Sequence, residues 1–237
     1  MSTLLLRLAA PLQAWGVEAK FDHRYTQTFP SKSAVIGLLA SALGRRRHED
    51  LTDLNTLRMG IRIDQEGSLL KDFHIAQREG KDPYVTRRYY LSDAIFLVGL
   101  EGEDQLLNKL AEALNTPFFP LFLGRRSCPP AGRLLLGIRE GKGLEEALAQ
   151  EAWLASPWFQ RKNQGIKHLQ LVLEVLPGTP GSFTVRDLPL SFDQAHRQYG
   201  FRSIKTDSAR ISQREQTDLP AGVDTTLHDA MMDWGDA

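Results

Sequence analysis

The chain has 237 residues, room for one elaborated domain or for a domain of about 150 residues with a smaller companion. Hydrophobic residues make up 42% and charged residues 24%, which excludes a wholly disordered, collagenous or coiled-coil chain. The formal net charge is zero, yet Glu215, Asp218, Asp224, Asp229, Asp233 and Asp236 are followed or preceded by no Lys or Arg from 215 to 237, so positions 1–214 carry six more basic than acidic side chains.

Those basic residues cluster as Arg45-Arg46-Arg47, Arg87-Arg88, Arg125-Arg126 and Arg161-Lys162. A locally basic surface on a neutral protein can bind phosphate, and the competing reading is plain solvated charge. No apolar run reaches the ~20 residues that span a bilayer, so no membrane partner is expected. The opening Met1–Arg7 places an arginine after three leucines and lacks a basic n-region, so no signal peptide is expected. Cys128 stands alone, which excludes an intrachain disulfide framework and fits a reducing cytoplasm.

In chain order, 3–9 reads as a strand ended by Pro11, followed by a loop to Pro30. Residues 34–44 read as a helix. Val35, Leu38, Leu39 and Ala42 form its stripe, Ser31 or Ser33 its cap, and Gly44 its left-handed stop. A short helix at 50–57 and a strand at 58–64 follow, then a strand at 93–100, a helix at 103–114 opened by acids, and a strand at 133–139. The resulting order, β-α-β-β-α-β, is an α+β arrangement of the ferredoxin-like (RRM- or RAMP-type) kind. The two central strands of such a unit meet in a short turn, whereas residues 65–92 intervene here. With Phe73, Tyr84, Tyr89 and Tyr90 inside it, this insertion reads as an ordered, projecting β-hairpin.

Beyond the core at 1–142, a smaller and mostly β region is expected at 143–211. It holds a helix from Gly143 to about Leu154 and strands at 167–176, 182–186 and 196–205. Residues 212–237 read as an acidic, mobile tail.

Several enzyme signals are missing. Gly137 to Gly143 falls one residue short of a phosphate loop and no Ser or Thr follows its lysine. There is no His-Glu-x-x-His, no paired Cys, no dense His/Asp cluster and no Gly-x-Ser-x-Gly, so neither a metal nor another cofactor and no catalytic residue is expected.

Three segments stand out: Leu8 to Gly16 at the end of the first strand, Phe29-Pro30-Ser31-Lys32-Ser33 before the helix, and Leu123 to Pro129 before the fourth core strand. A fourth runs from Arg186 to Phe192, with Arg197, Tyr199 and Arg202. Together, over 3–205, they closely resemble the CRISPR-associated Cas-five family of the RAMP superfamily, in its type I-E Cascade branch. The resemblance implies a non-catalytic RNA-binding subunit that holds the 5′ handle of mature crRNA and caps the CasC-type backbone filament. It would help to seat the CasA-type large subunit beside CasB-type and CasE-type subunits, with target DNA met through the complex in antiviral defence.

The resemblance places RNA contacts at Gln13, Trp15, Ser31, Lys32, Ser33, Arg87, Arg88, Tyr89, Arg125 and Arg126. A helix start suits phosphate, and Ser31, Lys32 and Ser33 add donors, although a serine there serves equally as an N-cap. Arg125 and Arg126 are phosphate forks or surface ion pairs. Trp15 stacks a base or fills the core, and Arg87, Arg88 and Tyr89 supply the cation–aromatic mix of single-stranded RNA recognition. By position the insertion corresponds to the family's thumb. An alternative is metal-independent cleavage of precursor crRNA, as in the family's type I-C branch. The only adjacent Lys-His here is Lys167-His168. A pure protein scaffold is the third reading.

Overall fold

The computed structural model describes residues 1–16, 23–77, 80 and 82–211, and the backbone of 19–20. The tail expected at 212–237 lies outside the described residues. In chain order the elements are β1 (Ser2–Ala9), β2 (Leu12–Gln13), β3 (Ala19–Lys20), β4 (His23–Arg24), α1 (Lys32–Ala42), α2 (Thr52–Asn55), β5 (Arg58–Gln65), β6 (Ser68–Ala76), β7 (Tyr84–Ser92), β8 (Ile95–Gly102), α3 (Asp104–Asn115), β9 (Leu135–Arg139), α4 (Leu144–Gln150), α5 (Pro157–Lys162), β10 (His168–Val175), β11 (Phe183–Ser191) and β12 (Gln198–Arg210).

The apolar run of β1 places leucines on both faces, which is how a central strand covered on two sides reads. It sits between β8 and β9 in a seven-stranded sheet ordered β11-β12-β10-β5-β8-β1-β9, with every neighbouring pair antiparallel. On one face Leu4, Leu6, Leu8, Met59, Ile61, Phe96 and Val98 pack with residues of α1 and α3. On the other, Leu5, Leu97, Leu171 and Leu173 meet Leu144, Ala147 and Leu148 of α4. Gly60 and Gly99 lie opposite each other beneath α4, where an added Cβ would come within 2.8 Å of Leu148 or Leu144. The absence of a side chain at both positions lets the helix press onto the sheet.

The helix at 34–44 starts two residues earlier than expected, with Ser31 as the N-cap, and Gly44 takes φ +78° just after its end. The helix expected to reach Leu154 stops at Gln150. Buried Arg62 donates to the carbonyls of Leu148, Glu151 and Ala152, and Asp64, bonded to Arg62, accepts from Leu154 N at 2.6 Å. These bonds draw the chain out of helical geometry. The helix α5 was not anticipated; Ser156-Pro157 at its start and Arg161-Lys162 in its last turn are the sequence signals for it. Strands β11 and β12 are longer than expected, and β10 pairs with β5, so the strands of 143–211 continue the main sheet.

Strands β6 and β7 form a two-stranded antiparallel ribbon, paired from Ser68–Ser92 to Ala76–Tyr84. The ribbon, with β2, β4 and β3 on the other side of β7, makes a second sheet. Its root is not separate from the core, because Tyr90 and Leu91 are buried in the same cluster as β1 and α1.

Candidate nucleic-acid interface

Side chains alternate across a strand, so the pairing of β6, β7 and β4 defines two ribbon faces. One carries Leu69, Lys71, Phe73, Ile75, Val85, Arg87 and Tyr89, continued by His23 and Tyr25; the other carries Arg24, Arg88 and Tyr90. On the first face His23, Tyr25 and Tyr89 stack in sequence, with centroids 5.7 and 5.0 Å apart and ring planes within 21°. Arg87 Nη1 lies 3.3 Å from His23 Nε2, and Arg87 and Tyr25 are exposed. Leu69, Phe73 and Ile75 beside them are each about two-thirds exposed, an uncovered apolar stripe next to cations.

The other face is built by two sequence segments meeting. Ala14 N donates to Leu123 O at 3.2 Å, and the turn beyond closes through Leu123 N to Cys128 O and Cys128 N to Arg125 O. Gly124, at φ +86°, lies so near Ala14 O that a Cβ would fall 1.6 Å from it, so only glycine fits this contact. The turn sets the Arg125 guanidinium 4.5 Å over the ring of Tyr90 and lets its Nη2 donate to Arg24 O at 2.8 Å. Nη1 of Arg125 and Nε of Arg88 are buried and make no hydrogen bond among the described residues. Arg126 is exposed. This face holds Arg24, Arg88 and Arg125, the last over the buried ring of Tyr90.

Other candidates behave differently. Gln13 is fully buried, donating to Ala94 O at 2.6 Å, and Trp15 is 1% exposed and edge-on to Phe96. Neither is open to a nucleotide in this structure, because the chain after β1 folds back onto the sheet. At the start of α1, Ser31 caps Ala34 N as expected, but Lys32 N already donates to Asp187 Oδ2 at 2.8 Å. A carboxylate thus takes the place read for phosphate. Lys32 is itself buried, its Nζ 2.8 and 2.9 Å from the two oxygens of Glu174. Burial lowers its pKa, against the pull of Glu174. Arg202 closes the network on Asp187 at 2.6 and 2.9 Å. Ser33 is buried beside Ser31, 3.2 Å between hydroxyls. The acids responsible lie 142 and 155 residues away along the chain, on the strands that cover the helix start.

His23, Arg24 and Tyr25 were not anticipated. The signal was available: His23-Arg24-Tyr25 mixes cation and aromatic side chains as Arg87 to Tyr90 do. A pocket of about 420 Å³ opens between this loop and β11, lined by Tyr25, Phe29, Ser31, Arg186 and Asp187 among others. Burial pushes the Cys128 thiol pKa up, as for a small core residue. Among the described residues no group of three His, Cys, Asp or Glu could hold a metal. No helix among them is long and apolar enough to cross a membrane.

The profile of the family described as CRISPR-associated protein (Cas_Cas5) matches residues 3–205. The chain belongs to the Cas5 family. It is 30% identical over 212 residues to the CRISPR system Cascade subunit CasD of Escherichia coli (strain K12), a match covering 80% of this chain and 89% of that one. Among solved structures, it superposes with a TM-score of 0.75 on a chain of a CRISPR RNA-guided surveillance complex, at 31% identity over 88% of this chain and 90% of that one. A crystal structure of a Cas protein matches with a TM-score of 0.70 and 39% identity, over 90% and 98%. The mixed α+β fold of this Cas5 protein is therefore that of its relatives.

Proposed function

We propose that this Cas5 protein is the non-catalytic RNA-binding subunit of a type I-E CRISPR surveillance complex. It holds the 5′ handle of crRNA, ends the CasC-type backbone filament and meets the CasA-type large subunit, in the cytoplasm. The order β5-β8-β1-β9, with α1 and α3 on one face, supports a ferredoxin-like RAMP core over 1–142, and the β6–β7 ribbon is its thumb. The identity to a Cascade subunit supports the assembly.

The observation that carries the RNA reading is the root of the ribbon, where half-buried Arg88 and Arg125, the latter over the ring of Tyr90, pair with no acid among the described residues. A phosphate can meet the accessible edges of these two guanidinium groups, and the His23–Tyr25–Tyr89 stack offers a ring face to an unstacked base. The test is recovery of crRNA with the complex from cells expressing its subunits together with Arg88→Ala plus Arg125→Ala. Loss of RNA, with the variant chain still folded, is the expected outcome. Undiminished RNA at low salt refutes the reading.

A further inference from the structure

The surface at the ribbon has a candidate occupant within the same chain. Arg24, Lys71, Arg87, Arg88, Arg125 and Arg126 form no ion pair with an acid among the described residues. Beside Lys71 and Arg87, on the same face of the ribbon, Leu69, Phe73 and Ile75 stand uncovered, with Arg24 and Arg88 on the opposite face. Residues 215–237 have the complementary composition: six acids, no Lys or Arg, and Met231, Met232 and Trp234 set among the last three acids.

The described chain also ends in the right place. Ile211 N donates to Lys167 O, and Arg210 pairs with His168 on β10. Extending the register of Leu171 with Arg62 by three residues sets His168 level with Gln65, where β5 leads into the ribbon. Two strand spacings, about 10 Å, then separate Arg210 from Gln65; the three residues on to Ser68 add up to about 10 Å, and the rows from Ser68 to Phe73, opposite Arg87, about 17 Å, which at right angles to the spacings makes a separation of about 29 Å. The acids from Asp224 to Asp236 stand 13 to 25 residues beyond Ile211, giving a root-mean-square reach of about 18–30 Å for a flexible chain.

We propose that the acidic C-terminal segment, 215–237, docks in cis on the cationic and aromatic ribbon surface and competes with RNA for it. Its carboxylates stand where phosphates would, and Trp234 offers a ring to the aromatic stack. Tethering keeps the segment at high effective concentration, so weak contacts suffice to screen the surface from unspecific nucleic acid. The crRNA, with more charges at closer spacing, displaces it. The inference rests on the reading of this surface as an RNA interface.

The test compares the full-length chain with a full-length variant carrying Glu215→Gln, Asp218→Asn, Asp224→Asn, Asp229→Asn, Asp233→Asn and Asp236→Asn. Binding of a labelled short oligo-uridylate is read by fluorescence anisotropy at low and high salt. The neutral-tail variant is expected to bind about three- to tenfold more tightly at low salt, with the gap closing as salt screens the contacts. A labelled peptide of residues 212–237, added to the neutral-tail variant, is expected to bind saturably, to be displaced by oligo-uridylate, and to be weakened by Arg87→Ser with Arg126→Ser. Equal oligo-uridylate affinities at low salt overturn the docking while leaving the RNA reading in place. Peptide binding that survives the arginine replacements puts the segment elsewhere and also overturns it. If neither chain binds oligo-uridylate but the peptide binds in an arginine-dependent way, the RNA reading falls and the proposed competition with it, leaving only a contact between segment and ribbon; if the peptide does not bind either, both fall.

Discussion

Arg88 and Arg125 are half-buried at the ribbon root and pair with no acid among the described residues. A guanidinium partly shielded from water interacts more strongly with an anion than a fully solvated one, which makes these two residues more sensitive reporters than the exposed Arg87 and Arg126. Each charge-assisted contact contributes roughly 1.5–3 kcal/mol, so Arg88→Ala or Arg125→Ala is expected to weaken handle binding by about that much, and less as salt rises. Titration of labelled handle RNA against each variant at two salt concentrations checks this. Lys32 is the contrasting residue. It and Glu174 form a pair with side-chain exposures of 2% and 18%. Lys32→Met strands the carboxylate against Met59 N and Arg202, and is expected to lower stability by about 3 kcal/mol. Chemical denaturation measures this loss. RNA affinity, corrected for the folded fraction, is expected to stay within about twofold, since a buried paired lysine cannot offer its ammonium to a phosphate.

At the scale of elements, the ribbon divides into a root that belongs to the core and an arm that does not. Tyr90 and Leu91 are buried, whereas most of β6 is exposed. Removing 71–89 and joining Leu70 to Tyr90 by a tight turn is expected to leave a cooperative thermal melt, because hairpin length changes carry a modest entropic term. The same deletion should abolish recovery of the chain in RNA-containing complex, as it takes away Arg87, Arg88 and Tyr89 together. A shortened protein with normal complex yield would mean that the arm does not act on RNA. Tyr90→Ala, by contrast, empties a core position and is expected to cost about 3–5 kcal/mol in the same melt.

For the molecule as a whole, charge and topology work together. Zero net charge conceals a basic stretch over 1–214 and an acidic one over 215–237, so binding to nucleic acid should depend on salt far more steeply than the overall charge suggests. The network of Lys32, Glu174, Asp187 and Arg202 ties the C-terminal strands to the start of α1, which makes 143–211 a structural partner of the core. The purified chain, incubated with precursor repeat RNA in EDTA, is expected to leave it intact as judged by denaturing gels. Cleavage at a defined site that is lost with Lys167→Ala and His168→Ala would establish the endoribonuclease reading instead.

Local pattern was enough to place β1, α1, β5, β8, α3 and β9, because each announces itself by periodicity, by Ser31 at a cap, or by Gly44 and Pro117 at or beyond an end. The ribbon too was legible, from an aromatic and cationic stretch too long for a turn. The accessibility of residues around the site was not. Ser31-Lys32-Ser33 has the composition of a phosphate-binding helix start, and only the packing of strands more than a hundred residues later puts Asp187 and Glu174 upon it. Trp15 could be stacking surface or core until the chain's return onto Phe96 buried it. In the opposite direction, His23 and Tyr25 became part of the surface only when β4 paired with β7. Sequence determines which groups a short segment can offer; whether a group faces solvent or an internal partner depends on contacts distant in the chain, which only the closed sheet brings together.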